Sequence, residues 1–358
     1  MLTSKLENIL SKNGIEYFDV IVKEGYKTKY RFLAGGADGS ELLQLYSMSK
    51  GITVTLGMRL IERGLLSLDD RVSKFFPSFK STTYVSDGKI LPNPNEMTVK
   101  NLFTMTSGMS YDVEAKEILE VTKRLGDSAR LCDYVPAFAK IPLSFPSGED
   151  FQYSLSHDLL AAIIEKIVDT PFAVHAKNEI FIPMEMNSST FENITDGVFK
   201  KLSCDVEGNL SPAPKENALL FSKSYTSGGA GLNSTVEDYS KFVAALTNNG
   251  KAENGYELLS ESGVKALTSP LLPWSFIKNN LDWMPSEYSY GLGVRVRAKD
   301  TAWGLSKGEF GWDGAAGSFW LSDPNKKISV VMGMNILSWE LKYRGIHFEI
   351  LEQIYRYL

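Results

Sequence analysis

Strand-like segments lie at both ends of this chain and helical patterns fill its middle, which limits the folds open to it. Near the start, residues 17–22 and 29–33 alternate and enclose Glu24-Gly25-Tyr26, a hairpin signal. Strand patterns return only beyond residue 285, at 290–296, 317–321 and 328–332. From about residue 97 to 220 the apolar spacing is helical, as in Leu159, Leu160, Ile163, Ile164 and Ile167. Residues 77–96 read as a loop, broken by Ser86-Asp87-Gly88 and Pro92-Asn93-Pro94. Strands shared between distant ends predict one sheet with a helical insertion. The expected class is α/β (α+β), a mainly antiparallel sheet flanked by helices. The expected division is 1–76 with 225–358 as the sheet domain and 77–224 as a mostly helical domain.

Flanking helices have their own signals. Leu2, Leu6, Ile9 and Leu10 follow helical spacing up to Gly14, and Ser234-Thr235-Val236-Glu237 reads as a capping box. At 358 residues the chain can bury a large core, and 43% hydrophobic with 23% charged residues is the balance of a soluble globular protein. A net charge of −5 gives no electrostatic reason to expect nucleic acid or an anionic membrane as a partner. No stretch is long and apolar enough to span a bilayer, and the first residues have no signal-peptide core, so a cytoplasmic protein is expected. Cys132 and Cys204 form no framework and are expected to be inert thiols. Oligomeric state is not legible in the pattern.

The chemistry concentrates at Ser47-Met48-Ser49-Lys50, where the apolar segment 42–46 gives way to a helix running through Ile52, Leu56, Leu60 and Ile61 to Gly64. Residues three apart share a helix face, so the Ser47 hydroxyl and the Lys50 amine can meet. A neighbouring amine can activate a serine as a nucleophile, and a helix N-terminus favours developing negative charge. Ser262-Gly263-Val264-Lys265 and Ser275-Phe276-Ile277-Lys278 match the same pattern, but the first sits in a polar stretch and the second reads as a loop.

Other motifs carry less. Gly304-Leu305-Ser306-Lys307-Gly308 has the spacing of a nucleophile elbow, with His347 downstream, but a strand-like, glycine-rich segment follows where that elbow needs a helix. It is read as a turn. His157, His175 and His347 show no metal-ligand spacing, and no metal or cofactor is expected. Gly228-Gly229-Ala230-Gly231 lacks the lysine of a phosphate loop and is read as a tight turn entering the next helix.

Taken in order, these blocks resemble the serine β-lactamase-related family, which holds class C β-lactamases, DD-peptidases, D-aminopeptidases and family VIII carboxylesterases. Tyr46-Ser47-Met48-Ser49-Lys50 resembles its nucleophile motif. Residues 64–70 resemble its helix-end segment and 102–108 its threonine-serine-glycine block, with Met105 where the family commonly has histidine. Tyr153-Ser154-Leu155 is similar to its Tyr-x-Asn motif, and Trp312-Asp313-Gly314 to its Lys-Thr-Gly motif. The resemblance implies a β-lactamase/DD-peptidase-like fold with the active site between the two domains. Ser47, Lys50 and Tyr153 would be catalytic, and the backbone N–H groups of Ser47 and Ala315 would form an oxyanion hole. Leu155, Trp312, Asp313 and Gly314 would contact substrate. A Lys50 ammonium beside Tyr153 is expected to lower the phenol pKa, leaving open which of the two is the base.

Leucine and tryptophan replace the amide and the cation that β-lactam and peptide substrates use, as in the family VIII esterases. A carboxylic ester is therefore the expected small-molecule substrate, with an amide as the alternative. A weak β-lactamase or D-amino-acid peptidase, an acyltransferase, and a non-catalytic binding protein on the same fold are the other readings.

Overall fold

The computed structural model describes residues 1–280 and 284–358. Its centre is a seven-stranded antiparallel sheet in the order β2-β1-β13-β12-β11-β10-β9. The N-terminal hairpin supplies β1 (Phe18–Glu24) and β2 (Lys27–Ala34). The C-terminal part supplies β9 (Tyr288–Tyr290), β10 (Arg295–Arg297), β11 (Phe310–Asp313), β12 (Phe319–Asp323) and β13 (Ile328–Gly333). The two parts join where β1 pairs with β13, with Val20 opposite Met332. The expected strand over 290–296 is in fact two strands, because Gly293, with φ 89°, turns the chain back and sets Arg295 opposite Tyr290.

Successive side chains on a strand face opposite sides, and here each side has its own helical cover. Phe18, Val20 and Val22 of β1, Phe319 and Leu321 of β12, and Val330 and Met332 of β13 pack with α1 (Leu2–Asn13) and α13 (Ile346–Tyr355). Ile21, Trp320 and Val331 point the other way, into the larger core. That core holds α9 (Val236–Thr247) and α2 (Ser49–Glu62), the latter buried from Ser49 through Met58. Gly14 and Gly64 end α1 and α2 with positive φ, as expected of helix stops.

Between α2 and α9 come α3 (Val72–Phe75), α4 (Val99–Phe103), α5 (Lys116–Leu125), α6 (Leu131–Phe138), α7 (Ser156–Val168) and α8 (Phe172–Ala176). After α9 lie α10 (Glu261–Leu267), α11 (Trp274–Ile277) and α12 (Glu340–Tyr343). Short pairings complete the fold: β3 (Leu43–Tyr46) with β8 (Leu232–Ser234), and β14 (Ile336–Leu337) with β6 (Leu202–Cys204) and β7 (Leu210–Pro212).

Four local expectations are corrected. Residues 77–96 contain a hairpin, β4 (Thr83–Ser86) and β5 (Lys89–Pro92), turned by Asp87-Gly88 with positive φ at both residues. Helix stops at about residue 181, and 187–230 hold only β6 and β7 among irregular backbone, because polar and glycine residues interrupt the spacing. The cap of α9 is Thr235, whose hydroxyl accepts from Asp238 N, while Ser234 ends β8. Ser275 lies in α11, and Ser262 is exposed in the first turn of α10, bonded to Ser260. Among the described residues no helix is long and apolar enough to cross a membrane.

Candidate active site

Ser47 stands between β3 and α2, in the turn after Tyr46. Tyr46 has φ 45°, a left-handed conformation that is uncommon for a residue with a side chain. The turn is held by Ser49, whose hydroxyl donates to Tyr46 O at 2.5 Å and accepts from Leu232 N at 2.9 Å. One helical turn on, Lys50 is fully buried, and its Nζ donates to Ser47 Oγ at 3.1 Å, Gly229 O at 2.8 Å and the Tyr111 hydroxyl at 2.9 Å. Three acceptors hold the amine on the serine oxygen.

Burial lowers the Lys50 pKa to about 7, against the Asp158 carboxylate, which acts to raise it. The neutral amine is therefore well populated at neutral pH. Asp158, on α7, accepts from the Tyr225 hydroxyl at 3.0 Å, and burial raises its own pKa against hydrogen bonds and the Lys50 charge. Tyr153 behaves differently from expectation. Its hydroxyl is in hydrogen-bonding reach of Ser47 and accepts from Trp312 Nε1 at 2.9 Å, yet burial pushes its pKa up. The Lys50 nitrogen lies over the face of the Tyr153 ring, 4.5 Å from the centroid. Desolvation outweighs the hydrogen bonds from Ser47 and Trp312, and the phenol stays protonated.

The third motif reaches the site on the end of β11. Trp312 packs against Tyr153 with centroids 5.6 Å apart and planes tilted by 30°, and meets Tyr290 edge-on at 5.3 Å. Asp313 is held by Arg295, Nη1 to Oδ1 at 2.6 Å, with both groups buried. Gly314 is needed for a close approach: a Cβ there would sit 2.5 Å from Leu45 O, the strand that carries Ser47. Its carbonyl accepts from Trp339 Nε1 at 3.2 Å. Ala315 follows, exposed at the turn.

A cleft of about 180 Å³ is lined by Ser47, Tyr153, Trp312, Asp313, Gly314 and Ala315, joined by Asn280, Trp339 and Glu340. Leu155 is not among them. It is buried at the start of α7 and lines a separate small hollow with Met109, Phe138 and Leu143, so its assignment to substrate contact is corrected. Leu155 is the residue at which the backbone enters α7.

Tyr111, Asn280, Trp339 and Glu340 went unnoticed in the sequence. Tyr111 follows the threonine-serine-glycine block by three residues, the only local signal for it. The glycines at 228–231 form the expected turn but do more, because their carbonyls accept from Lys50 and from Thr53 Oγ1 at 2.6 Å. A Cβ on Gly229 would meet Asp158 Oδ2 at 2.5 Å.

Rejected candidates lie elsewhere. The Ser306 backbone N–H donates to Asp323 in a turn, and His347 Nε2 is paired with Gly317 O at 2.8 Å against Phe319 and Trp339. Burial and the nearby Glu165 push the Cys132 thiol up to about 12.

Against known families, residues 19–352 match the model described as Beta-lactamase. The chain belongs to the beta-lactamase family. Within it, the chain is 29% identical over 232 residues to esterase EstB of Burkholderia gladioli, covering 58% of this chain and 57% of that one. It is 23% identical over 346 residues to lovastatin esterase of Penicillium rubens, covering 88% and 84%. Among solved structures, EstCE1, a hydrolase with promiscuous acyltransferase activity, superposes with TM-score 0.79 at 21% identity, covering 99% of this chain and 98% of that one. The family's mixed α/β fold with an antiparallel sheet is the one described above, as the motif order implied.

Proposed function

We propose that this family member is a serine hydrolase that cleaves carboxylic esters through an acyl-enzyme on Ser47. The observation that carries the reading is the buried Lys50 amine, 3.1 Å from Ser47 Oγ with a pKa of about 7. Neutral Lys50 takes the serine proton as Ser47 Oγ attacks the ester carbonyl. The charge that develops on the carbonyl oxygen falls to the backbone N–H groups of Ser47 and Ala315, a reading supported by both residues being among those that line the cleft. Tyr153, protonated and aligned by Trp312, passes a proton to the departing alkoxide and is reprotonated from the Lys50 ammonium. Water then enters the vacated place, and the same groups act in reverse to release the acid.

Ester over β-lactam or peptide follows from the third motif. Trp312 presents an aromatic wall where a carboxylate-binding cation would be needed. The catalytic cleft is read as lying between residues 1–76 with 225–358 on one hand and 77–224 on the other. Release of the acyl group to an alcohol is the second reading, favoured by the aromatic lining and by the transferase activity named for EstCE1. The test is a turnover screen over short and long p-nitrophenyl esters, nitrocefin and D-alanyl amides, repeated with added butanol. Higher kcat/KM for nitrocefin or a D-alanyl amide than for every ester overturns the reading. Butyl ester as the main product makes transfer the activity.

A further inference from the structure

The charges around the cleft point to a class of ester. Two carboxylates line it, Asp313 and Glu340, and they are not equivalent. Asp313 is neutralised from within by Arg295 at 2.6 Å. Glu340 is exposed at the start of α12, and among the described residues no lysine or arginine nitrogen lies within 4.0 Å of its carboxylate. The nearby Lys342 points its ammonium at Gly208 O, 2.9 Å away. Among the described residues that line the cleft, Glu340 is therefore the one charged side chain that no ion pair offsets.

Next to that charge are indole rings. Trp339 is fixed by its hydrogen bond to Gly314 O and by a tilted ring contact with His347, and Trp312 donates to the Tyr153 hydroxyl. A carboxylate beside aromatic faces is the arrangement that suits an ammonium group, which gains from both the charge and the ring quadrupole. The same arrangement repels a substrate carboxylate.

We propose that the cleft selects esters carrying an ammonium group, with Glu340 as the specificity-determining charge and Trp339 and Trp312 as its aromatic walls. This rests on the ester-hydrolase reading of the same site. It goes further than the loss of a carboxylate-binding lysine, since it assigns a favoured charge rather than a lost one.

The test uses charge-matched pairs with the full-length protein. For the alcohol side, acetylcholine is compared with 3,3-dimethylbutyl acetate. For the acyl side, the p-nitrophenyl ester of 4-(trimethylammonio)butyrate is compared with that of 5,5-dimethylhexanoate and with mono-p-nitrophenyl glutarate. In at least one pair, kcat/KM for the cationic member should exceed that of the neutral member by about fivefold or more at low salt, as one effective charge pair gives. The excess should shrink as salt is raised. Glu340→Gln should bring the ratio near one, and Glu340→Lys should invert it in favour of the glutarate ester. Neutral esters turned over with no cationic preference in either pair, or a preference that survives Glu340→Gln, overturn this inference alone. No turnover of any ester overturns the proposed function and this inference together.

Discussion

At the scale of single residues, the site is governed by what burial does to two titratable groups. Burial lowers Lys50 to about 7 and raises Tyr153, which is why the proposed mechanism makes the amine the base and the phenol a proton carrier. A base must be unprotonated to act. The kcat/KM of a neutral ester is therefore expected to rise with pH through about 7 and then level off, measured between pH 5.5 and 9. A flat profile across that range would refute Lys50 as the base. Lys50→Ala and Tyr153→Phe should each lower turnover at least about 10²-fold, and the double variant should lose far less than the product, because the groups act as one unit. A serine-reactive phosphonate should give one adduct by intact mass, absent in Ser47→Ala and retained in Ser306→Ala. Much of this was legible in the sequence: the three-residue spacing of Ser47 and Lys50 is a helix-face statement. The direction of the Tyr153 shift was not, since it depends on how deeply the folded chain buries the phenol. Leu155 lines a hollow other than the Ser47 cleft, because a motif fixes spacing along the chain and not which cavity a side chain reaches.

At the scale of elements, the site is a junction between strand ends. The end of β3 carries Ser47, the end of β11 carries Ala315, and Gly314 lets them touch. Gly314→Ala should force the two apart, costing roughly 1–3 kcal/mol as overpacking does. It should also slow phosphonate labelling of the protein that remains folded. Unchanged labelling with a normal thermal midpoint would show that the contact is not needed. Behind β11, Arg295 bridges Asp313, and Arg297 pairs with Glu309 at 3.3 Å, all buried. Arg295→Met should destabilise by about 3–5 kcal/mol in urea unfolding, because it strands a buried carboxylate. Isolated elements were easy to read where one period held, as in α1, α2 and the N-terminal hairpin. The Asp87-Gly88 hairpin was missed although its turn signal was present, because its strands expose Val85 and Ile90 and show no buried face. The pairing of β1 with β13 is beyond local pattern, since the partners lie some three hundred residues apart.

For the whole molecule, the two faces of the sheet divide support from chemistry. Leu6 of α1 and Ile350 of α13 are fully buried on the face opposite the core that holds α2. Ile350→Ala should cost about 2–5 kcal/mol of stability while leaving the phosphonate labelling rate of folded protein unchanged at 25 °C. A slowed labelling rate at full folding would mean that the outer layer also positions Ser47. The joining of β1 to β13 and the contact of Gly314 with Leu45 also set an order of events during synthesis. The strand that leads into Ser47 leaves the ribosome early, but the residues that pack against it come last. At about 5–20 residues per second, the first hairpin waits tens of seconds without the neighbour that covers its edge. Nascent chains halted before β11 are thus expected to be catalytically silent, and their bare strand edge is a place for chaperones to bind.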